Sequence, residues 1–105
     1  MIRVDKIRPG AVGEEVCRPS PLGNPFSHRP SRLAVTMVAS RSEAIARYRA
    51  WLDDRLADPS SPQSREVERL LRLYQAAGSL TLLCWCVPLP CHAEVVREVL
   101  LARRT

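Results

Sequence analysis

The side chains best suited to chemistry are concentrated in one short segment, residues 84–92. Cys84, Cys86, Cys91 and His92 place three of the four cysteines and one of the two histidines within nine positions. Thiolates and imidazoles are ligands that zinc prefers. A thiol beside an imidazole can also act as an activated nucleophile. This segment is therefore the first candidate for a functional site.

Three interpretations of these residues stay open. Both residue types suit zinc, although one residue rather than two to four separates Cys84 from Cys86, and the side chains of Cys91 and His92 diverge if both are helical. In the second interpretation Cys91 is a catalytic nucleophile with His92, or His28, as its base. In the third, the thiols simply pack at the end of a strand. A disulfide between Cys84 and Cys86 would close a very tight ring and is disfavoured in a reducing compartment.

A second segment, Arg18–Phe26, has the composition of a rigid loop, and it begins a proline-rich stretch over 18–32. Its prolines fix φ and remove amide donors, and we expect Gly23 to take the positive φ of a sharp turn. A stiff loop of this kind can present Arg18, Ser20 and the Asn24 amide to a ligand. The alternative is a structural turn that inserts Leu22 and Phe26 into the core.

The elements that position these segments can be predicted from local patterns. The apolar run 80–86 predicts a buried central strand, with Cys84 and Cys86 on one face and Trp85 on the other. A helix is expected to begin near Cys91, at the carboxyl end of that strand. Open α/β sheets place ligands at this edge, and a helix amino terminus favours anions and lowers the pKa of a thiol.

The remaining elements complete a small α/β fold. Ser40 and Glu43 match a capping box before a helix that carries Ile45, Tyr48, Trp51, Leu52 and Leu56. The segment 58–62 reads as a linker, and a second helix is predicted over 64–77 with Gly78 at its end. Strands are predicted within 1–8, 15–17 and 33–38. We therefore expect a single domain, 1–105, built as a Rossmann-like α/β sandwich with a short sheet and about three helices.

Composition excludes several classes of protein. The chain has 105 residues, of which 46% are hydrophobic and 26% charged, a balance typical of a globular domain rather than a disordered or fibrous chain. No apolar run approaches the roughly 20 residues of a membrane helix. The charges within Met1–Gly10 argue against a signal peptide. A cytoplasmic protein without a membrane partner is expected.

The net charge of +5 is only weak support for an anionic binding partner. Many arginines have acidic neighbours in the sequence, as Arg41 has Glu43. The clearest unneutralised pairs are Arg29 with Arg32 and Arg103 with Arg104. Nucleic-acid binding through these pairs would make the affinity steeply dependent on salt, but the chain has no recognisable reading motif.

Taken together, the motifs resemble a known family. Arg18–Phe26, Ser40–Arg41 with Glu43–Ala44–Ile45 and Tyr48, and Leu83–Cys84–Trp85–Cys86 with Pro88 and Cys91–His92 are similar to the uncharacterised family catalogued as domain of unknown function 4326, common in bacteria and their phages. The resemblance covers about residues 15–101. Ala93 stands where the family often has glycine, and Cys17 stands where a glycine commonly precedes the arginine, which adds a fourth thiol.

The resemblance implies that the loop, the helix start at Arg41 and the helix start at Cys91–His92 act together. Our leading hypothesis is that Arg18, Ser20, Gly23, Asn24 and Arg41 bind a phosphorylated or nucleotide-like ligand, over a floor of cysteines and His92. The second hypothesis is a zinc-stabilised, non-enzymatic adaptor for protein or nucleic acid.

Overall fold

A computed structural model describes residues 1–27, 36–87 and 89–103. Eight elements follow one another along these ranges: β1 (Ile2–Lys6), β2 (Glu14–Glu15), β3 (Phe26–Ser27), β4 (Thr36–Met37), α1 (Arg41–Leu56), α2 (Pro62–Ala77), β5 (Leu80–Cys84) and α3 (Ala93–Arg103).

The main sheet has three parallel strands in the order β1-β5-β2. The central strand β5 is apolar, and its Leu82, Leu83 and Cys84 are buried, as expected of a parallel strand covered on both faces. Because all three strands run the same way, their carboxyl ends meet at one edge of the sheet. The segments that follow β2 and β5 therefore lie side by side.

Strand predictions are confirmed in position but not in length. The edge strand predicted within 1–8 is β1, and the one predicted at 15–17 is β2, two residues long and one residue earlier. Of the strand predicted over 33–38, only Thr36–Met37 is seen, paired in parallel with β3, while 33–35 lie outside the described residues.

The first helix begins where its capping box predicts. The Ser40 hydroxyl accepts a hydrogen bond from the Glu43 amide at 3.1 Å, and the Glu43 carboxylate accepts one from the Ala39 amide at 3.3 Å. These contacts satisfy amides that the first turn leaves free. They also fix the place at which Arg41 enters the helix.

The other two helices begin at other residues than predicted. Helix α2 starts at Pro62, because the Ser61 hydroxyl accepts from the Ser64 amide and proline is well suited to the first helical turn. Gly78 ends it with a φ of 76°, the left-handed conformation that favours glycine. Helix α3 starts at Ala93, so Cys91 and His92 precede it.

One hydrophobic core joins the sheet to the helices. Its fully buried side chains include Tyr48 and Leu52 of α1, Leu70 of α2 and Leu100 of α3. These residues recur at the helical spacing seen in the sequence, which confirms the predicted mixed α/β fold. None of the helices within the described ranges is long and apolar enough to cross a membrane.

Candidate functional site

A cavity of about 300 Å³ opens at the carboxyl edge of the main sheet. Four parts of the chain form its walls: the segment after β2, the loop around Asn24, the first turn of α1 and the segment between β5 and α3. This is the edge at which α/β sheets place ligands. The two motif segments that the sequence singled out thus face one space.

All four cysteines of the chain line this cavity. Cys84 closes β5 and Cys91 precedes α3, and the structure pairs these two in a disulfide with their Cα atoms 7.4 Å apart. Cys17 and Cys86 are free and half-buried. Spacing in the sequence suggested only a Cys84–Cys86 disulfide, as a disfavoured alternative. The pair that forms is a different one, because the chain turns back after β5 and returns Cys91 to the strand end.

Three of the sulfurs form a compact group. The Sγ atoms of Cys84, Cys86 and Cys91 all lie within 4.8 Å of one another. Three cysteines this close together can hold a metal ion. His92 and Cys17 do not join the group, although both line the same cavity.

Trp85 lies elsewhere than the strand pattern predicts. Because β5 ends at Cys84, the alternation of faces does not continue to Trp85 and Cys86, and all three residues border the cavity. The Trp85 side chain is 60% exposed. It forms part of the mouth of the cavity instead of packing on the far face of the sheet.

His92 is buried and held from two sides. Its Nε2 donates a hydrogen bond to the Val16 carbonyl oxygen at 2.6 Å, and its ring meets the Tyr48 ring edge-on at a centroid distance of 5.0 Å. Burial is the main cause that lowers the pKa of His92, and the nearby Arg18 acts in the same direction, whereas the bond to Val16 opposes it. The neutral ring therefore carries its hydrogen on Nε2.

The other ring nitrogen of His92 faces a thiol position. With hydrogen on Nε2, the unprotonated Nδ1 lies 3.4 Å from Cys91 Sγ. In the reduced state this nitrogen is placed to accept the proton of the Cys91 thiol, as the hypothesis of a catalytic nucleophile requires. In the paired state seen here Cys91 has no such proton, so that role belongs only to the reduced protein.

Arg18 is the cavity's most distinctive charged residue. Among the residues that the structure describes, its Nη1 is buried and finds no hydrogen-bond partner. No carboxylate from the described part of the chain lines the cavity. A buried guanidinium nitrogen without a partner is costly, so an external acceptor in this space would stabilise the fold.

Arg41, at the first position of α1, also forms no ion pair with a carboxylate of the described residues. The sequence paired it with Glu43, but Glu43 forms its ion pair with Arg47 at 3.1 Å. Among the described residues, the Arg41 side chain donates a hydrogen bond only to the Pro90 carbonyl oxygen, at the long distance of 3.5 Å. Within the described ranges, both arginines that line the cavity thus lack an ionic partner.

The remaining loop residues hold the loop's shape. The Asn24 amide donates to the Ala44 carbonyl at 3.2 Å, and its carbonyl accepts from the Phe26 amide at 2.9 Å. Asn24 also lines the cavity, whereas Ser20 and Gly23 do not. The Ser20 hydroxyl accepts from the Leu22 amide at 3.2 Å, so it shapes the turn.

Gly23 is required for a different reason than the one predicted. Its φ is not positive. A Cβ there would lie 2.7 Å from the Arg18 backbone nitrogen and 2.8 Å from the Arg18 Cα, closer than real Cβ contacts. The absence of a side chain lets the loop close tightly on Arg18. The peptide bond between Arg18 and Pro19 is cis.

Several site residues were not foreseen. Phe26 and Trp85 line the cavity, and no local pattern distinguishes them from core aromatics. The Val16 carbonyl oxygen, which fixes His92, gives no sequence signal at all. His28, Arg29, Arg32 and Arg104 lie outside the described residues.

The sequence profile of the family described as Domain of unknown function (DUF4326) matches residues 3–102, and the chain belongs to that family. This match confirms the resemblance and extends it to nearly the whole chain. No curated protein and no solved structure matches the chain.

Proposed function

We propose that this member of the DUF4326 family binds a small anionic molecule, phosphorylated or nucleotide-like, in the cavity at the carboxyl edge of its sheet. The observation that carries the proposal is the buried Nη1 of Arg18, which has no hydrogen-bond partner among the described residues. A phosphate group is an acceptor well matched to a guanidinium, because two of its oxygens can accept from the guanidinium at once.

The charges around the cavity favour an anion. Arg18 and Arg41 contribute two positive charges, and no carboxylate from the described residues opposes them there. Helix α1, of 16 residues, and helix α3, of 11, both begin beside the cavity. Their amino-terminal amides and dipoles add to the attraction.

The size of the cavity suits a small molecule. Its volume of about 300 Å³ is at the lower end of the range typical of small-molecule sites. Apolar walls from Phe26 and Ile45 accompany the few polar groups. This mixture of apolar surface and a few converging donors is typical of such sites.

Calorimetric titration of the metal-free, reduced protein tests the proposal, with inorganic phosphate and a nucleoside monophosphate as probes. We expect both probes to bind to the wild type, and Arg18→Ala and Arg41→Ala each to weaken the affinity by about tenfold or more, since a desolvated charge pair is lost. Arg72→Ala is the matched control, because Arg72 is exposed on α2 and pairs with Glu68.

Two results would contradict an anion site. One is that neither probe binds to folded wild-type protein. The other is that both alanine variants in the cavity keep the wild-type affinity. Arg18→Lys distinguishes the effect of the charge from that of the bidentate contact, because lysine keeps the charge but cannot make the contact. We expect its phosphate affinity to lie between those of the wild type and Arg18→Ala.

A zinc-stabilised adaptor for protein or nucleic acid is the second candidate. The three converging sulfurs of Cys84, Cys86 and Cys91 favour it. If zinc is structural, its removal by a chelator unfolds the domain. If the cavity is a ligand site on an independently stable fold, the chelated protein keeps its helical circular dichroism and its affinity for phosphate.

A further inference from the structure

We infer that the reduced protein binds one thiophilic divalent metal ion, such as Zn²⁺, through the thiolates of Cys84, Cys86 and Cys91, with a fourth coordination position open to the cavity. The inference of a metal site depends only on the three cysteines and not on the proposed function. The claim that the open position takes the anionic ligand rests on the proposed function.

The spacing of the sulfurs supports a shared metal. Zinc–sulfur bonds of about 2.3 Å in a tetrahedron place neighbouring sulfurs roughly 3.8 Å apart, inside the 4.8 Å within which all three Sγ atoms lie. The Cα atoms of Cys84 and Cys91 are 7.4 Å apart, wider than the roughly 4.4–6.8 Å usual for disulfides. Once the disulfide is reduced, this Cα spacing is compatible with two thiolates that share one ion.

The surroundings of the sulfurs suit thiolates. The Ala93 amide donates to Cys91 Sγ at 3.5 Å, from the first residue of α3. A divalent ion with three thiolates carries one net negative charge. Arg18, whose Nη1 has no partner among the described residues, lines the same cavity and offsets this charge.

The fourth position is open because no further ligand from the described residues converges on the three sulfurs. Structural zinc sites are closed by four protein ligands, whereas sites with three keep a position for water or substrate. Neither His92 nor Cys17 belongs to the group of close ligand atoms in the described ranges. His92 is tied to Val16 through Nε2. The remaining position therefore faces the cavity that Arg18 and Arg41 also line.

The disulfide and the metal exclude each other. Forming the Cys84–Cys91 bond removes two electrons from two thiolates and leaves Cys86 as the only ligand of the three. A small-molecule disulfide such as oxidised glutathione accepts those electrons and becomes two thiols. The metal ion is released in the same step, so oxidation provides an internal control for the site.

The test uses the full chain, purified under reductant, with metal content measured by mass spectrometry and Co²⁺ binding followed by absorption. We expect one metal per chain, thiolate-to-cobalt charge transfer and the visible bands of tetrahedral cobalt. Cys86→Ser is the decisive variant, since Cys86 is only half-buried and its loss spares the core. Its metal affinity should fall by more than the roughly 10- to 100-fold that is lost when a residue hydrogen-bonded to a metal ligand is replaced.

Cys17→Ser is the matched control, because Cys17 lines the cavity without joining the three sulfurs. It should keep one metal per chain. Circular dichroism confirms that each variant is folded. A folded, reduced wild type without metal would overturn the site, as would full metal content in Cys86→Ser, or metal retained after oxidation has closed the disulfide.

Binding of phosphate at the open coordination position of the metal can be measured separately. Inorganic phosphate should shift the visible bands of the cobalt-loaded wild type, and Arg18→Ala should weaken that shift. Unchanged bands at saturating phosphate, or loss of tetrahedral cobalt in Cys17→Ser, would refute the open position. Phosphate affinity of the metal-free protein is measured separately, so failure of the proposed anion site is distinguishable from failure of the metal site.

Discussion

The Nε2 of His92 donates a hydrogen bond to the backbone oxygen of Val16 across 2.6 Å. Val16 directly follows β2, and His92 directly precedes α3, 76 positions later. Both residues are buried. The bond therefore holds two walls of the cavity together. One wall carries Cys17 and Arg18, and the other carries Cys91.

Replacing His92 by phenylalanine should destabilise the fold. The variant keeps an aromatic ring against Tyr48 but leaves the buried Val16 oxygen without a donor, which costs about 1–3 kcal/mol. Urea denaturation measures the free energy of unfolding of the wild type and of this variant. Gln75→Ala, at an exposed position of α2, should change it by less than about 0.5 kcal/mol. Equal stability of the wild type and the phenylalanine variant would show that the bond contributes nothing.

Tyr48→Phe should also be destabilising. The Tyr48 hydroxyl donates to the Leu22 carbonyl at 2.7 Å, and both residues are fully buried. Removing the hydroxyl leaves a buried acceptor unpaired, at a cost of about 1–3 kcal/mol. Chemical denaturation at neutral pH tests this. A variant as stable as the wild type would indicate that another donor replaces the hydroxyl.

The difference in stability between the wild type and Tyr48→Phe should depend on pH in a defined direction. Burial raises the pKa of Tyr48 well above its ordinary value of 10.0. The folded state thus holds the proton more tightly than the unfolded chain, and this contribution is complete below about pH 10 and is lost as the pH rises above it. The stability gap between the wild type and Tyr48→Phe should narrow above that pH. A difference in stability that grows above that pH would contradict a raised pKa of Tyr48 in the folded state.

Gly23→Ala should weaken both the fold and the anion site. The new Cβ would meet the Arg18 backbone at 2.7 Å, and overpacking of this kind costs about 1–3 kcal/mol. Because the loop must move away from Arg18, phosphate affinity should fall as well. Gly10→Ala is the control: its φ of 83° is strained for alanine, but no atom lies within 4 Å, so stability falls while phosphate affinity stays.

Trp85 should report on the cavity by fluorescence. The chain has two tryptophans, and Trp51→Phe leaves only Trp85, which is 60% exposed at the mouth. Its emission should be readily quenched by acrylamide, and bound phosphate should reduce the quenching. Trp85→Phe leaves Trp51, which packs against Tyr48 at 5.6 Å and should be quenched less. Equal quenching constants would contradict this placement.

Local sequence patterns determined the elements well. The Ser40–Glu43 capping box located α1, and Gly78 located the end of α2, because these signals act within one helical turn. The apolar run 80–86 predicted the central strand, which in the structure ends two residues earlier, at Cys84. The place of the cysteine segment at the carboxyl edge of the sheet also followed from the sequence, since a strand followed closely by a helix leaves few other arrangements.

Tertiary structure alone decided how the site is assembled. It paired Glu43 with Arg47 and left Arg41 without an ionic partner among the described residues, which their positions in the sequence do not predict. It buried the Nη1 atom of Arg18 without a hydrogen-bond partner among the described residues and paired Cys84 with Cys91 rather than with Cys86. These contacts depend on how the chain turns after β2 and β5, and on atoms that lie far apart in the sequence. No local pattern encodes such distances, because packing of the whole core sets them.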